Sequence, residues 1–550
     1  MDSQRLILFF VFAFSVFMLL DAWQRDQQPS APPLGDKSDK GTPPAAQLPV
    51  PTQQLTLPQP GAQQPERRAP VQATTIQVET DVLVARISGD GGDLRYVEFK
   101  HHRDTLDKKK NFVLLEVSPE RTYVAQSGLI GSALPNHRTV YTASASSYPL
   151  AEGQDVVEVR LTAPAADGVE VVKVYRFRRG SYLVDVAFEI ANNGATPVQP
   201  HAYFQIVRDG KPPAGDSAML PTFTGVAIYT EKEKFQKLTF EEIAKAKTPY
   251  PKSSNDGWIA MLQHYFFSAW LPKNGTPREF YTRRLDENLY SAGVIVPVNA
   301  VGAGGSAAVV VPLYVGPEEQ EKLAKIAPGL DLTIDYGWLT VIAVPLFWVL
   351  AWLNGWVGNW GVAIILLTVI IKALFYPLSA ASYRSMAKMR VVAPKMQKLK
   401  DQYGDDRQRM QQAMMELYKT EQINPLGGCM PIVIQIPVFI ALYWVLLASV
   451  ELRQAPFMLW IDDLAAPDPW FILPILMAIT MWVQTMLNPE PPDPVQAKVM
   501  KIMPIVFSVF FFFFPAGLVL YWLVNNVLSI AQQWWITRAM EREAAKTRKS

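Results

Sequence analysis

Two periods of hydrophobic patterning divide this chain. From Ile76 onward, apolar and polar residues alternate in short runs such as Val156–Leu161, Val169–Phe177 and Leu183–Ile190, the period of two expected of strands with one face in a core. Asp167-Gly168 joins the first two runs and Asn192-Asn193-Gly194 ends the third; these residue types tolerate the left-handed backbone of tight turns. Strands repeated at this spacing predict an all-β, sandwich-like domain over residues 76–334, its strands ending near Pro312 and a helix following over Pro317–Ala327.

Beyond residue 335 the alternation gives way to long apolar runs: Tyr336–Val357, Trp360–Leu378, Cys429–Ser449, Trp470–Leu487 and Ile502–Ile536, with a further one at Leu6–Trp23. About 20 such residues cross a bilayer core of ~30 Å at a helical rise of ~1.5 Å. Ile502–Ile536 holds 35 residues, ~52 Å as one helix. It is therefore expected to fold back at Pro515-Ala516-Gly517 into spans near 499–514 and 518–536. Leu6–Trp23 follows Arg5 and lacks a small-x-small exit, so residues 1–24 read as an uncleaved signal anchor. Residues 25–75 are rich in Pro, Gln, Ala and Ser, the composition of a flexible tether.

Charge sets the orientation. The segment Ala380–Gly428 carries nine Lys/Arg against five acids, whereas Val450–Pro469 carries one base against four acids. The positive-inside rule makes the first cytoplasmic and the second not. Helical patterns flanking Tyr403-Gly404-Asp405-Asp406 predict an antiparallel helical hairpin over 380–428, with Met386, Met389, Met396, Met410, Met414 and Met415 supplying an adaptable apolar surface. With the β domain outside, one span separates it from this hairpin. Residues 335–357, whose Trp348, Trp352 and Trp356 recur at helical spacing, are then expected to lie at the membrane interface, and Trp360–Leu378 to cross. The prediction is an α-helical polytopic membrane protein of six transmembrane helices joined to an all-β domain. Five spans (360–378, 429–449, 470–487, 499–514, 518–536) form a core over 358–536, and a basic tail over 537–550 is cytoplasmic.

Composition narrows the function. Of 550 residues 49% are hydrophobic and 19% charged, with a formal net charge of +2. The lone Cys429 excludes an internal disulfide. His101, His102, His137, His201 and His264 show no metal-ligand spacing and read as surface or structural. Neither a phosphate-binding Gly-Lys-Ser/Thr loop nor a nucleophile elbow occurs, so no enzyme activity, cofactor or metal is expected.

The candidate chemistry lies inside the apolar runs. Lys372 is the sole charge between Trp360 and Leu378, and an ammonium at mid-helix costs roughly 2.5–3.5 kcal/mol on insertion scales. Thr368 precedes it on the same face, Gln435 lies in the next run, and Thr480 and Gln484 in the one after. Tyr521, Asn525, Ser529 and Gln533 follow i, i+4, i+8, i+12 along the last run. These residues could line a wet cavity with Lys372 as its fixed cation, bind a small solute as in a transporter or channel, or serve as interhelical hydrogen-bond glue in a scaffold.

The stretches MDSQR at the N-terminus, GNWG (Gly358–Gly361), SMAKMR (Ser385–Arg390), NPLGGC-P (Asn424–Pro431), VELRQAPF (Val450–Phe457) and P-GLVLYW (Pro515–Trp522) resemble the YidC/Oxa/Alb family, specifically the YidC insertases of Gram-negative inner membranes. The resemblance implies a periplasmic β super-sandwich and an interfacial helix. It also implies a hydrophilic groove open to cytoplasm and lipid but closed to periplasm, through which nascent membrane proteins are inserted, alone or with the Sec translocon. Ribosomes would dock on the cytoplasmic hairpin and basic tail, and membrane lipids would flank the core. Thr368, Gln435 and Tyr521 fall on groove positions of the family pattern. The groove charge, commonly arginine, is Lys372 here, which keeps the charge but loses the bidentate fork. A position often Tyr is Trp522.

Overall fold

The computed structural model describes residues 74–131, 133–215, 222–246, 248–404, 406–421, 430–487, 498, 501–502 and 508–547. The expected anchor (1–24), nearly all of the tether (25–75), Cys429 with its Asn-Pro-Leu-Gly-Gly motif, and residues 499–500 and 503–507 of the span near 499–514 lie outside these residues. The chain divides at Ile334/Asp335 into a β unit and a helical unit.

The β unit holds a ten-stranded and a nine-stranded sheet, antiparallel apart from the parallel pairing of Thr75–Glu79 with Ser147–Pro149. Val156–Thr162 alternates exposed and buried residue by residue, as its sequence demands. Its hairpin to Val169–Arg178 closes through Asp167 at φ 51° and Gly168 at φ 76°, the two left-handed residues of a primed turn. Leu183–Asn192 pairs with Val169–Arg178 on one side and Ser306–Pro317 on the other. The chain then leaves at Asn192 and pairs in the other sheet as His201–Asp209. The last strand runs to Pro317 rather than ending near Pro312, because it also pairs with Phe266–Trp270. Two short helices complete the unit, α1 (Phe240–Lys245) and α2 (Gln320–Ile326).

Charge is also buried here. Lys173 lies fully inside the β unit, its Nζ donating to Gly91 O (3.2 Å) and Ser127 O (3.1 Å) beside the rings of Tyr175 and Phe188. Burial lowers the Lys173 ammonium from its usual range and raises the nearby, equally buried Asp93 carboxyl; the attraction between them opposes both shifts.

The helical unit contains α3 (Thr340–Val357), α4 (Trp360–Leu374), α5 (Tyr376–Tyr403), α6 (Arg407–Thr420), α7 (Met430–Ala448), α8 (Ile472–Leu487) and α9 (Ala516–Thr547). α3 buries Ala343, Phe347, Leu350 and Leu353 along one stripe and exposes Trp348, Trp352 and Trp356 along another. By length and composition it is the one described helix that could cross a membrane unaided, although its tryptophan face had suggested an interfacial position. Gly358 in left-handed backbone (φ 64°) ends it, and Asn359 caps α4 by accepting from Val362 N (3.0 Å).

The helix expected over 360–378 stops at Leu374, and α5 departs from it at 66°. Pro377 in the first turn of α5 explains the break: it has no N–H to donate to Ala373 O, and its ring biases Tyr376 away from continuing the preceding helix. α5 and α6 pack antiparallel, tied by Lys395 to Glu421 (2.6 Å) and by the Tyr418 hydroxyl to Met396 Sδ (3.9 Å). The last apolar region turns at Phe514, which is extended, before Pro515. From Ala516, α9 continues as one helix through the expected span and into the basic tail.

Candidate functional site

Lys372 lies in the last turn of α4, because the break at Phe375 comes sooner than the apolar run suggests. Carbonyls at a helix C-terminus favour a cation by about 0.3–1 kcal/mol, so the early break offsets part of the ammonium's burial. The side chain is 7% exposed and its Nζ donates to Ser529 Oγ on α9 at 2.7 Å. Ser529 Oγ passes its own proton to Asn525 O (2.8 Å), and Asn525 Oδ1 accepts from Gln435 Nε2 on α7 (2.6 Å). Three helices thus meet in one polar network. Lys372 and Ser529 are closed in, whereas Gln435 and Asn525 are half-buried, so the network opens toward α7.

The other expected residues divide. Tyr521 is buried with its hydroxyl beside Gln435. Thr368 is fully buried one turn from Lys372, but its hydroxyl donates to Ile364 O of its own helix (2.7 Å), so it stands beside the network without joining it. Trp522 stands apart from the polar network: its ring meets Phe439 edge-on (4.2 Å between centroids) and lies 5.5 Å from Phe511. On α8, Thr480 bonds back to Met477 O (2.9 Å). Gln533 donates to Leu487 O (3.1 Å) at the end of α8, a structural tie between helices.

Tyr383 escapes the sequence reading. It sits in the second turn of α5, where its hydroxyl reaches Ser529, and the buried Ser379 and Ser382 lie on the same helix. With residues from 380 onward assigned to the cytoplasmic hairpin, nothing in the pattern directs Tyr383 to Ser529.

Remote from Lys372, the segment between α7 and α8 bonds across the starts of α4 and α9. Ala516 N donates to Ala466 O (2.8 Å), Gly517 N to Leu464 O (2.9 Å), and Asn359 Nδ2 to Phe457 O (2.8 Å). Phe457 packs on Gly361, where no other side chain would fit. The same segment therefore ties down the starts of α4 and α9. From Gly517 to Ser529 along α9 is ~18 Å of helix, which sets the distance of the cation from this segment.

Sequence likeness to one family runs along the chain. The YidC periplasmic domain family matches residues 75–349 and the 60Kd inner membrane protein family residues 352–544. A protein named membrane protein insertase YidC from Nitrosospira multiformis is 57% identical over 567 residues, covering 100% of this chain and 99% of its own length. One of the same name from Methylobacillus flagellatus is 57% identical over 554 residues, covering 99% of each. A solved structure described as an active YidC insertase with its first transmembrane domain resolved covers 84% of this chain and 93% of its own at 19% identity, with a TM-score of 0.39. Matched end to end at this identity, the chain belongs to the YidC family.

Proposed function

We propose that this protein inserts nascent membrane proteins into the bacterial inner membrane and assists their folding, with the cleft around Lys372 as the polar stage of passage. The observation that carries this reading is a buried ammonium held by a neutral hydroxyl, Ser529, in a network half-open at Gln435 and Asn525. Such a cation is ready for an anion brought from outside. Its relatives carry the name membrane protein insertase.

Magnitudes favour an acidic flank as that anion. Carrying an aspartate to mid-bilayer costs roughly 2.5–3.5 kcal/mol, and a charge pair at 4 Å in a partly wet site returns about 4 kcal/mol before desolvation. The membrane potential adds ~2.3 kcal/mol per charge per 100 mV for an acidic flank moving outward. The apolar part of the substrate leaves sideways, along Ile434 and Ile436 on α7 and Val527 on α9, all exposed. The short α4 and α8, at ~22 and ~24 Å, shorten the polar path.

In this reading the β domain is periplasmic, and the α5–α6 hairpin and the end of α9 are cytoplasmic. The hairpin's methionines greet varied apolar segments, its basic residues face ribosomal RNA, and the protein works alone or beside the Sec translocon. A stalled nascent chain should crosslink to photoreactive groups at Gln435 and Tyr521 but not at Trp356. Adducts absent from both cleft positions would overturn the proposal.

A further inference from the structure

The segment between α7 and α8 carries large apolar side chains that nothing among the described residues of the helical unit covers. Leu459 is 82% exposed, and Met458, Trp470 and Phe471 are also exposed. Two of these four sit in left-handed backbone, Leu459 at φ 59° and Phe471 at φ 56°, a conformation that strains branched and aromatic residues. The fold holds them outward at a conformational cost.

One carboxylate does much of the holding. Asp468, 1% exposed, accepts from Trp460 Nε1 (3.0 Å), Trp470 N (3.0 Å) and Leu473 N (2.7 Å). The two indoles stack with centroids 6.1 Å apart and planes 7° from parallel. An aromatic pair is thus clamped in place, flanked by Met458-Leu459 on one side and Phe471 on the other.

Helix length and continuity identify what covers this surface. α8 has 16 residues and α4 has 15, ~24 and ~22 Å against a hydrocarbon core of ~30 Å. The loop runs directly into α8 and is bonded to the start of α4 through Asn359 Nδ2 and Phe457 O, so these two short helices hold it at or below headgroup depth. Trp470 and Phe471 also run directly into the exposed apolar stripe of α8, Ile475, Ile479, Trp482 and Met486.

We propose that Met458, Leu459, Trp470 and Phe471 are seated in the outer leaflet of the bilayer, with the Trp460–Trp470 pair at the boundary of headgroups and acyl chains that tryptophan favours. The inference rests on the membrane reading of α8 given above. Its consequence is mechanical: Leu464 and Ala466 of the same segment bond to Gly517 and Ala516, so the lipid anchor fixes the start of α9 at the depth of the leaflet.

The test uses the full chain carrying Cys429→Ser, reconstituted in phosphatidylethanolamine/phosphatidylglycerol vesicles with one environment-sensitive fluorophore on a new cysteine. Leu459→Cys and Met458→Cys probe the anchor, Asp462→Cys on the exposed polar side of the loop is the aqueous reference, and Ile479→Cys probes mid-α8. Labels at 458 and 459 are expected to emit to the blue of the label at 462. They should be quenched several-fold more by lipids with a nitroxide near the top of the acyl chain, and several-fold less by iodide. If both loop labels behave like the one at 462 while 479 is quenched by a deep nitroxide, the anchor is wrong and the membrane reading stands. If 479 is also water-exposed, the membrane reading falls with it.

Discussion

The Lys372 ammonium meets the Ser529 hydroxyl at 2.7 Å, joining α4 to α9 across 157 positions of sequence. Because Ser529 donates its own proton to Asn525 O, only its lone pairs face the cation. Ser529→Ala should therefore leave a buried charge short of a partner and cost about 1–3 kcal/mol, read as a lower melting temperature of the purified protein. Adding Lys372→Met is expected to recover most of the loss. Strict additivity of the two substitutions would contradict the coupling.

Asp468 predicts a second effect, away from the pocket. Asp468→Ala removes the acceptor for Trp460 Nε1 and for the backbone N–H groups of Trp470 and Leu473, a loss of about 1–3 kcal/mol. Amide hydrogen exchange over 470–476 should accelerate, with Asp468→Asn intermediate. Unchanged protection in both variants would show that the carboxylate does not organise this end of α8.

The β unit has its own pH dependence. The Tyr203 hydroxyl shares a hydrogen bond with His137 Nδ1 and accepts another from His137 N (3.1 Å). Burial first, then the charges of Arg138 and Lys173, lower His137 from 6.5 to about 4. A folded-state value depressed below the unfolded one gives stability that is present above pH ~6.5 and lost as pH falls toward ~4, on the order of 3 kcal/mol in full. Calorimetry of the full chain should show this decline, and His137→Gln should flatten it.

The turn at Gly168 offers a local check on the sheet. Gly168 has φ 76°, and a Cβ there would approach Gly194 Cα to 2.8 Å. Gly168→Ala should destabilise the β unit by 1 kcal/mol or more, by order of magnitude, through both strain and crowding. An unchanged melting temperature of that unit would contradict the geometry.

What the sequence made legible follows the strength of its periodicities. Val156–Thr162 announced itself because one face is wet and the other dry; Gly225–Thr230 and Trp258–Gln263, buried at every position, show no alternation to read. Asn525 and Ser529 were visible as a helical stripe, and Lys372 as a charge out of place. Their joining through hydrogen bonds was not, because spacing along one helix says nothing of which helix it faces. Tyr383 was hidden by the break at Phe375, where a proline two residues on outweighed a continuous apolar run. Trp522, one position from the polar stripe, turned to Phe439 and Phe511 instead. Asp468 acts from irregular backbone, where no period exists.

The pocket's charge is tested most directly by exchanging it against the charge of the substrate. Insertion of a single-span substrate into proteoliposomes is measured with an acidic or a basic outward-moving flank, for the native protein and for Lys372→Arg, Lys372→Ala and Lys372→Glu. Lys372→Arg should insert the acidic-flank substrate nearly as well as the native protein, Lys372→Ala less well, and Lys372→Glu least, with the basic flank partly rescuing Lys372→Glu. Equal insertion by all four proteins, or no dependence on the flank, would contradict the role assigned to Lys372.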